Sequence, residues 1–373
     1  METMMNTPLY LPHELIIQIL MRLPVKSLIR FKCVCKLWLT LISDPYFANS
    51  HFELTAATHT HRIMFISTSP PYQTQSIDYE ASLRSASASP SLNFLLPQTH
   101  PDIEIIGSCR GFILLHCSSE FHIWNPSTGV HKEIPLSPND SHLDVKYLCY
   151  LYGFAYDQSR DDYLVFSMSY DTTLANDNIS SHLEFFSLRD NTWKEIEGTH
   201  LPYMHNSDLL RVGSLFNGVI HWLAFRNDTS MDVIVAFDLK EWKVLDIHLP
   251  DEFEGELDDS GLWVFGEFLS LWATDHFDRK GTVEIWVMKE YKVHSSWIKT
   301  HVVSLDDIHI LIHSPLCSTK SGDIIGADDG KVVKYNDKGQ WLESYCYFND
   351  RGGSEVALYV ESLLSLPADN EQA

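Results

Sequence analysis

The sequence predicts an α+β chain: a small N-terminal helical domain, then an all-β propeller of six blades. Three observations predict it. Apolar residues recur at helical spacing only in the first 43 residues. Beyond residue 60 the pattern changes to short β-rich runs separated by Gly, Asn and Asp turns, such as GFILLHC, DYLVFSM and VIVAFDL. Within that region one hairpin pattern recurs five times: an apolar strand, a polar turn, then a strand with an aromatic residue or His near its start.

Residues 11–43 read as helix. Pro12 suits a first turn, and Glu14 suits the positive end of the helix dipole. Ile16, Ile19, Leu20 and Leu23 fall at i, i+3, i+4 and i+7. With Leu15, Ile17 and Met21 the first helix is apolar over roughly 240°, at about 100° per residue. A surface helix needs a stripe of about 100°. Pro24 ends this helix. A second apolar pattern follows in Leu28, Phe31, Cys35, Trp38 and Ile42, with Lys26, Arg30, Lys32 and Lys36 among them, and Ser43-Asp44-Pro45 closes it. About 40 residues cannot bury so many large side chains alone. They either cap the β domain or bind a separate protein.

The five hairpins are FHIWNPSTGVHKEI, LEFFSLRDNTWKEI, VIVAFDLKEWKVLDI, VEIWVMKEYKVHSSWI and KVVKYNDKGQWLESY. Their anchors His131, Trp193, Trp242, Trp297 and Trp341 are spaced by 62, 49, 55 and 44 residues. Four-stranded blades run about 40–50 residues, with loop insertions beyond that. Each hairpin follows one or two further strands, which gives five full units. A leftover strand near Ala357–Leu366 is expected to pair with the strands near Arg62–Ser69 and close a sixth blade, leaving no long exposed edge. Ser67–Ser91 reads as a long loop of that first blade.

Composition bounds the function. Twenty-seven Lys and Arg against fifty Asp and Glu give a formal charge of −23, which disfavours a phosphate backbone as partner. Residues 1–51 carry five basic and three acidic residues, a net of +2, leaving −25 on the rest. No eighteen-residue apolar run exists, so no membrane span is expected. The stretch METMMNTPLYLPHEL has no basic segment ahead of an apolar run and does not read as a signal peptide. Seven scattered Cys without a CxxC pair read as a reduced chain in the cytoplasm and/or nucleus.

The common catalytic motifs GxSxG, GxxxxGK[ST], HExxH and GxGxxG are absent. His309 and His313 lie too far apart on a strand to chelate without a third ligand. Asp323, Asp328 and Asp329 fit a hairpin turn better than a calcium loop. No cofactor and no metal are expected. His221-Trp222, Trp124 and Trp286 read as packing between blades.

Several segments carry a family resemblance. Leu11-Pro12-x-Glu14-Leu15, Ile19-Leu20-x-Arg22-Leu23-Pro24-Val25-Lys26-Ser27-Leu28, Phe31-Lys32-x-Val34-Cys35-Lys36-x-Trp38, Leu41-Ile42 and Pro45-x-Phe47 resemble a plant F-box. Ser108-Cys109-Arg110-Gly111, Trp124-Asn125-Pro126-Ser127-Thr128-Gly129, Tyr152-Gly153-Phe154-x-Tyr156-Asp157, Asn217-Gly218-x-Ile220-His221-Trp222 and Phe237-Asp238-Leu239 resemble the F-box associated, kelch-like domain of the same plant group. S-locus F-box proteins belong to this broad group, and no residue here singles out that branch. The resemblance implies a three-helix F-box over residues 8–52 and a kelch-like propeller over 60–367. It implies the substrate-recognition subunit of an SCF-type (Skp–cullin–F-box) ubiquitin ligase, non-catalytic, docked on a Skp-type adaptor and through it on cullin and a RING subunit. On the matching positions it assigns adaptor docking to Leu11, Pro12, Leu15, Ile19, Leu20, Leu23, Pro24, Val25, Leu28, Val34, Cys35 and Trp38. A charge at Leu20 is then expected to abolish docking while the propeller stays folded. For a basic protein substrate the candidate element is the run Asp251–Asp259, whose Asp251, Glu252, Glu254, Glu256, Asp258 and Asp259 have no base among them. The competing reading is a stand-alone propeller enzyme or carbohydrate-binding lectin with a helical cap.

Overall fold

The computed structural model describes residues 11–55, 61–68, 73–84, 103–117, 120–137, 150–170, 181–196, 201–204, 211–275, 282–304, 314–328, 331–347 and 354–367. Four helices open the chain: α1 (His13–Leu20), α2 (Val25–Phe31), α3 (Lys36–Ile42) and α4 (Pro45–Thr55). The family resemblance implies three. The fourth starts at the Asp44-Pro45 pair that reads as a terminator. Asp44 Oδ1 accepts the backbone N–H groups of Tyr46 (2.8 Å) and Phe47 (3.2 Å), while Pro45 opens the helix. An acidic cap followed by proline in the first turn is a helix start. The second apolar pattern is itself split into α2 and α3 by a turn at residues 32–35.

Six sheets follow, and they are the blades of a propeller. Blade 1 pairs His61–Ser67 and Thr74–Ile77 with Ser354–Val360 from the far end of the chain. Blade 2 comprises Ile103–Cys109, Phe112–Cys117, Glu120–Trp124 and His131–Pro135. Blade 3 comprises Tyr150–Asp157, Asp162–Tyr170, Ser181–Ser187 and Thr192–Glu195, with Arg211–Val212 added in parallel. Blade 4 is built on Ser214–Phe216, Val219–Arg226, Met231–Asp238 and Lys243–His248. Ser260–Phe265, Phe268–Asp275, Thr282–Met288 and Trp297–Ser304 form blade 5. Ser314–Ser318, Ile324–Asp328, Lys331–Tyr335 and Trp341–Cys346 form blade 6.

A C-terminal strand closes the ring as the sequence predicts, but it spans Ser354–Val360 and not Ala357–Leu366. It runs antiparallel to His61–Ser67, with Ile63 opposite Leu358 and Phe65 opposite Val356. It also touches the first strands of blades 2 and 6, so the two ends of the β region meet in one sheet.

Three of the recurring tryptophans tie the outer part of a blade to the preceding blade. Trp193 Nε1 donates to Pro135 O of blade 2 (2.8 Å), and Trp297 Nε1 to His248 O of blade 4 (3.2 Å). Trp242 holds the Arg160 guanidinium of blade 3 at 3.8 Å from its ring centre. Trp341 is the exception and stands 46% exposed.

His221 and Trp222 do pack between blades. Neighbouring strand residues face opposite ways, so Trp222 Nε1 donates to Tyr152 O of blade 3 (2.7 Å) while His221 turns to blade 5. Its Nδ1 donates to the Ser214 carbonyl (3.1 Å), which leaves Nε2 to accept from the Tyr291 hydroxyl (2.8 Å). Burial pushes the imidazole down from 6.5 to about 4. Below its unfolded value the unfolded chain takes up a proton that the folded one refuses. Stability therefore falls as the pH drops from about 6.5 toward about 4, by an amount on the order of 3 kcal/mol. Burial lowers His61 and His301 as well, with the same sign. Denaturant unfolding at about pH 7 and about pH 4.5 measures the loss. His221→Gln is expected to shrink the difference between the two.

Candidate functional site

The helices carry two apolar surfaces. One is inward. Leu20, Val25, Leu28, Ile42, Phe47 and Ala48 are buried in a single cluster with Cys109, Phe112 and Tyr163 of the propeller and Leu363 and Leu364 of the C-terminal tail. Trp38 is half-buried beside Phe31, at 5.4 Å between ring centres. His51 Nε2 donates to Leu23 O (2.9 Å), which ties α4 to the end of α1.

The other surface is outward. Leu15 and Ile19 lie one turn apart on α1, with Leu11 four residues earlier just ahead of the helix, and all three are 45–51% exposed. Val34, Leu37, Leu39, Tyr46 and Leu54 are exposed on the neighbouring elements. Eight of the seventeen exposed large apolar side chains among the described residues thus fall between residues 11 and 54. A grouping of this kind marks an interaction surface, whereas scattered single residues do not. Of the docking residues expected from sequence, Leu11, Pro12, Leu15, Ile19, Pro24, Val34 and Cys35 are exposed, and Leu23 and Trp38 are half-buried. Leu20, Val25 and Leu28 are buried and support the surface from beneath. A charge at Leu20, 1% exposed, strikes the core shared with the propeller and is not a clean probe of docking.

Arg110 seats the helices on the propeller. It occupies the two-residue hairpin between Ile103–Cys109 and Phe112–Cys117, with φ +50° followed by Gly111 at +85°. Asn217-Gly218 fills the same kind of turn in blade 4, at +51° and +71°. Asn tolerates this backbone and Arg pays strain for it. The guanidinium lies 4.6 Å from the Phe52 ring centre and 4.3 Å from that of Tyr156. It donates to Glu53 Oε1 (2.9 Å) and Asn49 Oδ1 (3.3 Å) on α4. A strained residue with such contacts marks a constraint that the surroundings hold in place. Arg110→Asn keeps the turn and removes the contacts. Glu53 is 60% exposed, so most of the loss comes from the two ring contacts. The helices are expected to lose about 2 kcal/mol of attachment. Faster amide exchange in α4, with that of blades 4 and 5 unchanged, is the readout.

The acidic run leaves blade 4 as a loop. Phe253 and Leu257 pack into the cluster between blades 4 and 5, while Asp251, Glu252, Glu254 and Glu256 stay exposed. A short turn at Leu257–Asp259 closes it, with the Asp259 N–H donating to Glu256 O (3.2 Å). Asp258 lies in that turn. The run does have a basic neighbour from another segment: His294 Nε2 is 3.5 Å from Asp251. Asp323 faces Ser321 (2.8 Å) and Lys334 (3.5 Å). His309, His313 and Asp329 lie outside the described residues. Among those described, Glu120, His122 and Glu133 of blade 2 bring their ligand atoms within 4.8 Å, and His122 pairs with Glu120 at 3.2 Å.

Comparison with known proteins gives this arrangement its family. The F-box domain matches residues 9–49, and the F-box associated beta propeller domain matches residues 53–336. The chain belongs to the F-box proteins with this propeller. Among its relatives in Arabidopsis thaliana, an F-box/kelch-repeat protein is 29% identical over 79% of this chain and 80% of its own length. The F-box protein CPR1 is 28% identical over 79% of this chain and 73% of its own. Among solved structures, TolB from Acinetobacter baumannii aligns with 84% of this chain and 72% of its own, at 12% identity and a TM-score of 0.47, too distant to bear on function.

Proposed function

We propose that this F-box protein is the substrate-recognition subunit of an SCF-type ubiquitin ligase, acting in the cytoplasm and/or nucleus. The helical unit, residues 8–52, docks on a Skp-type adaptor and so on cullin and RING subunits. The propeller unit, residues 60–367, holds a protein substrate. The observation that carries the reading is the outward apolar surface of Leu11, Leu15, Ile19 and Val34, which lies in the F-box and is left over after the inward face has packed. The role is non-catalytic. By holding substrate near the charged enzyme it raises the effective concentration of substrate lysines. The inward packing supports this, because helices seated on the propeller fix the distance between docking surface and substrate. The acidic run Asp251–Asp259 favours a basic substrate through long-range attraction. Neither nucleic acid nor membrane is a partner in this reading. Co-expression with a plant Skp-type adaptor followed by size-exclusion chromatography tests it. The expected result is one co-eluting complex, and separate elution would sink the reading.

A further inference from the structure

The cleft between blades 4 and 5 holds a pocket of about 320 Å³. Asp251 and Glu252 reach it from the acidic loop, Trp286 and the pair Trp297 and Lys299 from the two outer strands of blade 5, and His294 from the turn between them. Its size lies at the low end of ligand pockets, which run about 300–1,000 Å³, and suits one side chain. We propose that it receives an arginine side chain from an extended basic segment of a protein ligand. The inference rests on the substrate-receptor reading and names the substrate chemistry, but it does not depend on adaptor docking.

The charges favour a cation. Lys299 is neutralised by Glu284 at 2.8 Å and its ammonium is held 4.8 Å from the Trp286 ring centre, which leaves the carboxylates of Asp251 and Glu252 as the charges of this pocket that meet a ligand. His294 offsets Asp251 only when protonated. Glu252 has no ion-pair partner among the described residues, and Glu254 and Glu256 extend the negative rim along the loop. A guanidinium fits better than an ammonium. It is planar, is weakly hydrated, and offers paired donors to a carboxylate. The rim that attracts it repels acidic peptides and phosphates.

The test uses the full chain and three fluorescein-labelled nonapeptides, Gly-Ser-Lys-Gly-Xaa-Gly-Lys-Ser-Gly, with Arg, Gln or Glu at the centre, read by fluorescence anisotropy. The Arg peptide is expected to bind about tenfold more tightly than the Gln peptide. The double substitution Asp251→Asn with Glu252→Gln is expected to reduce it to the Gln level, and raising NaCl from about 50 to about 500 mM to weaken it. Both positions are exposed, so the melting temperature should not move. Equal binding of Arg and Gln peptides, preference for the Glu peptide, or an Arg preference that survives the double substitution would each overturn the proposal. Adaptor co-elution of the double variant is expected at the wild-type level. Should the unsubstituted chain fail to bind adaptor, the ligase reading falls and the peptide result stands.

Discussion

Deletion of residues 357–373 is expected to abolish cooperative folding of the ring. The removed segment ends the strand Ser354–Val360, the one partner among the described residues that blade 1 receives from the far end of the chain. Tyr359 is 3% exposed and its hydroxyl pairs with Ser76 Oγ (2.7 Å). Ser108 Oγ donates to Leu358 O, which binds blade 2 to the same strand. Beyond the strand, the buried Asn125 amide donates to Ser362 O (3.2 Å) and Leu364 O (3.1 Å). Gly111 lies so close to the tail that an added Cβ would stand 2.1 Å from Ser362 Oγ. Leu363 and Leu364 then enter the core beneath the helices. Burying one such side chain is worth about 1.5–3 kcal/mol. Together with the buried Tyr359, the two leucines approach the roughly 5–15 kcal/mol that holds a typical domain together. The deletion also removes the partners of His61, Arg62, Ile63 and Met64 and so bares more than half of that strand's edge, an invitation to aggregate. Loss of a cooperative thermal transition, or aggregation on a sizing column, is the expected result. A truncated chain that melts like the full one would show that the ring does not need this strand. Asn125→Ala is the milder companion: it unties the tail from blade 2, leaves the strand paired, and is expected to lower stability by about 1–3 kcal/mol.

The ring was legible because its signals are local and repeated. Trp193, Trp242 and Trp297 each open an outer strand, and a two-residue alternation places His221 and Trp222 against opposite neighbours. The closing strand was legible as a remainder, one apolar run left without a hairpin of its own. The helices were less so. Apolar spacing says that α1 has too much greasy surface, but not which part meets its own chain, so Leu20, Val25 and Leu28 could not be told from Leu15 and Ile19. Ser43-Asp44-Pro45 carries the residues of a helix stop and of a helix start alike, and the cap bonds of Asp44 decide between them. Arg110 was missed, although a signal existed. Arg-Gly stands in the turn where blade 4 has Asn-Gly, and a bulky residue at positive φ needs a reason. The pocket between blades 4 and 5 was hidden because Asp251, Trp286 and Trp297 are distant in sequence and meet only through the twist of neighbouring sheets.

Adaptor binding is expected to vanish when Leu15 and Ile19 are both changed to Asp. Both side chains point away from the shared core, at 45% and 51% exposure, one helical turn apart. Asp at exposed positions changes folding stability by only about 0.5 kcal/mol each, so the melting temperature should hold. In the complex the same carboxylates would be taken out of water without a partner. Each then costs several kcal/mol, and a joint penalty above about 4 kcal/mol weakens binding at least a thousandfold. Co-elution with the Skp-type adaptor reads the loss directly. Val34→Asp, on the turn between α2 and α3 and 60% exposed, tests a second exposed apolar position of the F-box. Leu20→Asp serves as the contrast. It places a charge among Leu28, Ile42 and the propeller residues of the shared core, so it should lower the melting temperature along with adaptor binding. The argument therefore turns on a separation: the outward pair removes docking without touching stability, and the inward residue removes both. Wild-type co-elution of the Leu15, Ile19 double variant would place the adaptor elsewhere on the helical unit, away from α1, where Leu37 and Leu39 of α3 and Tyr46 of α4 are also exposed.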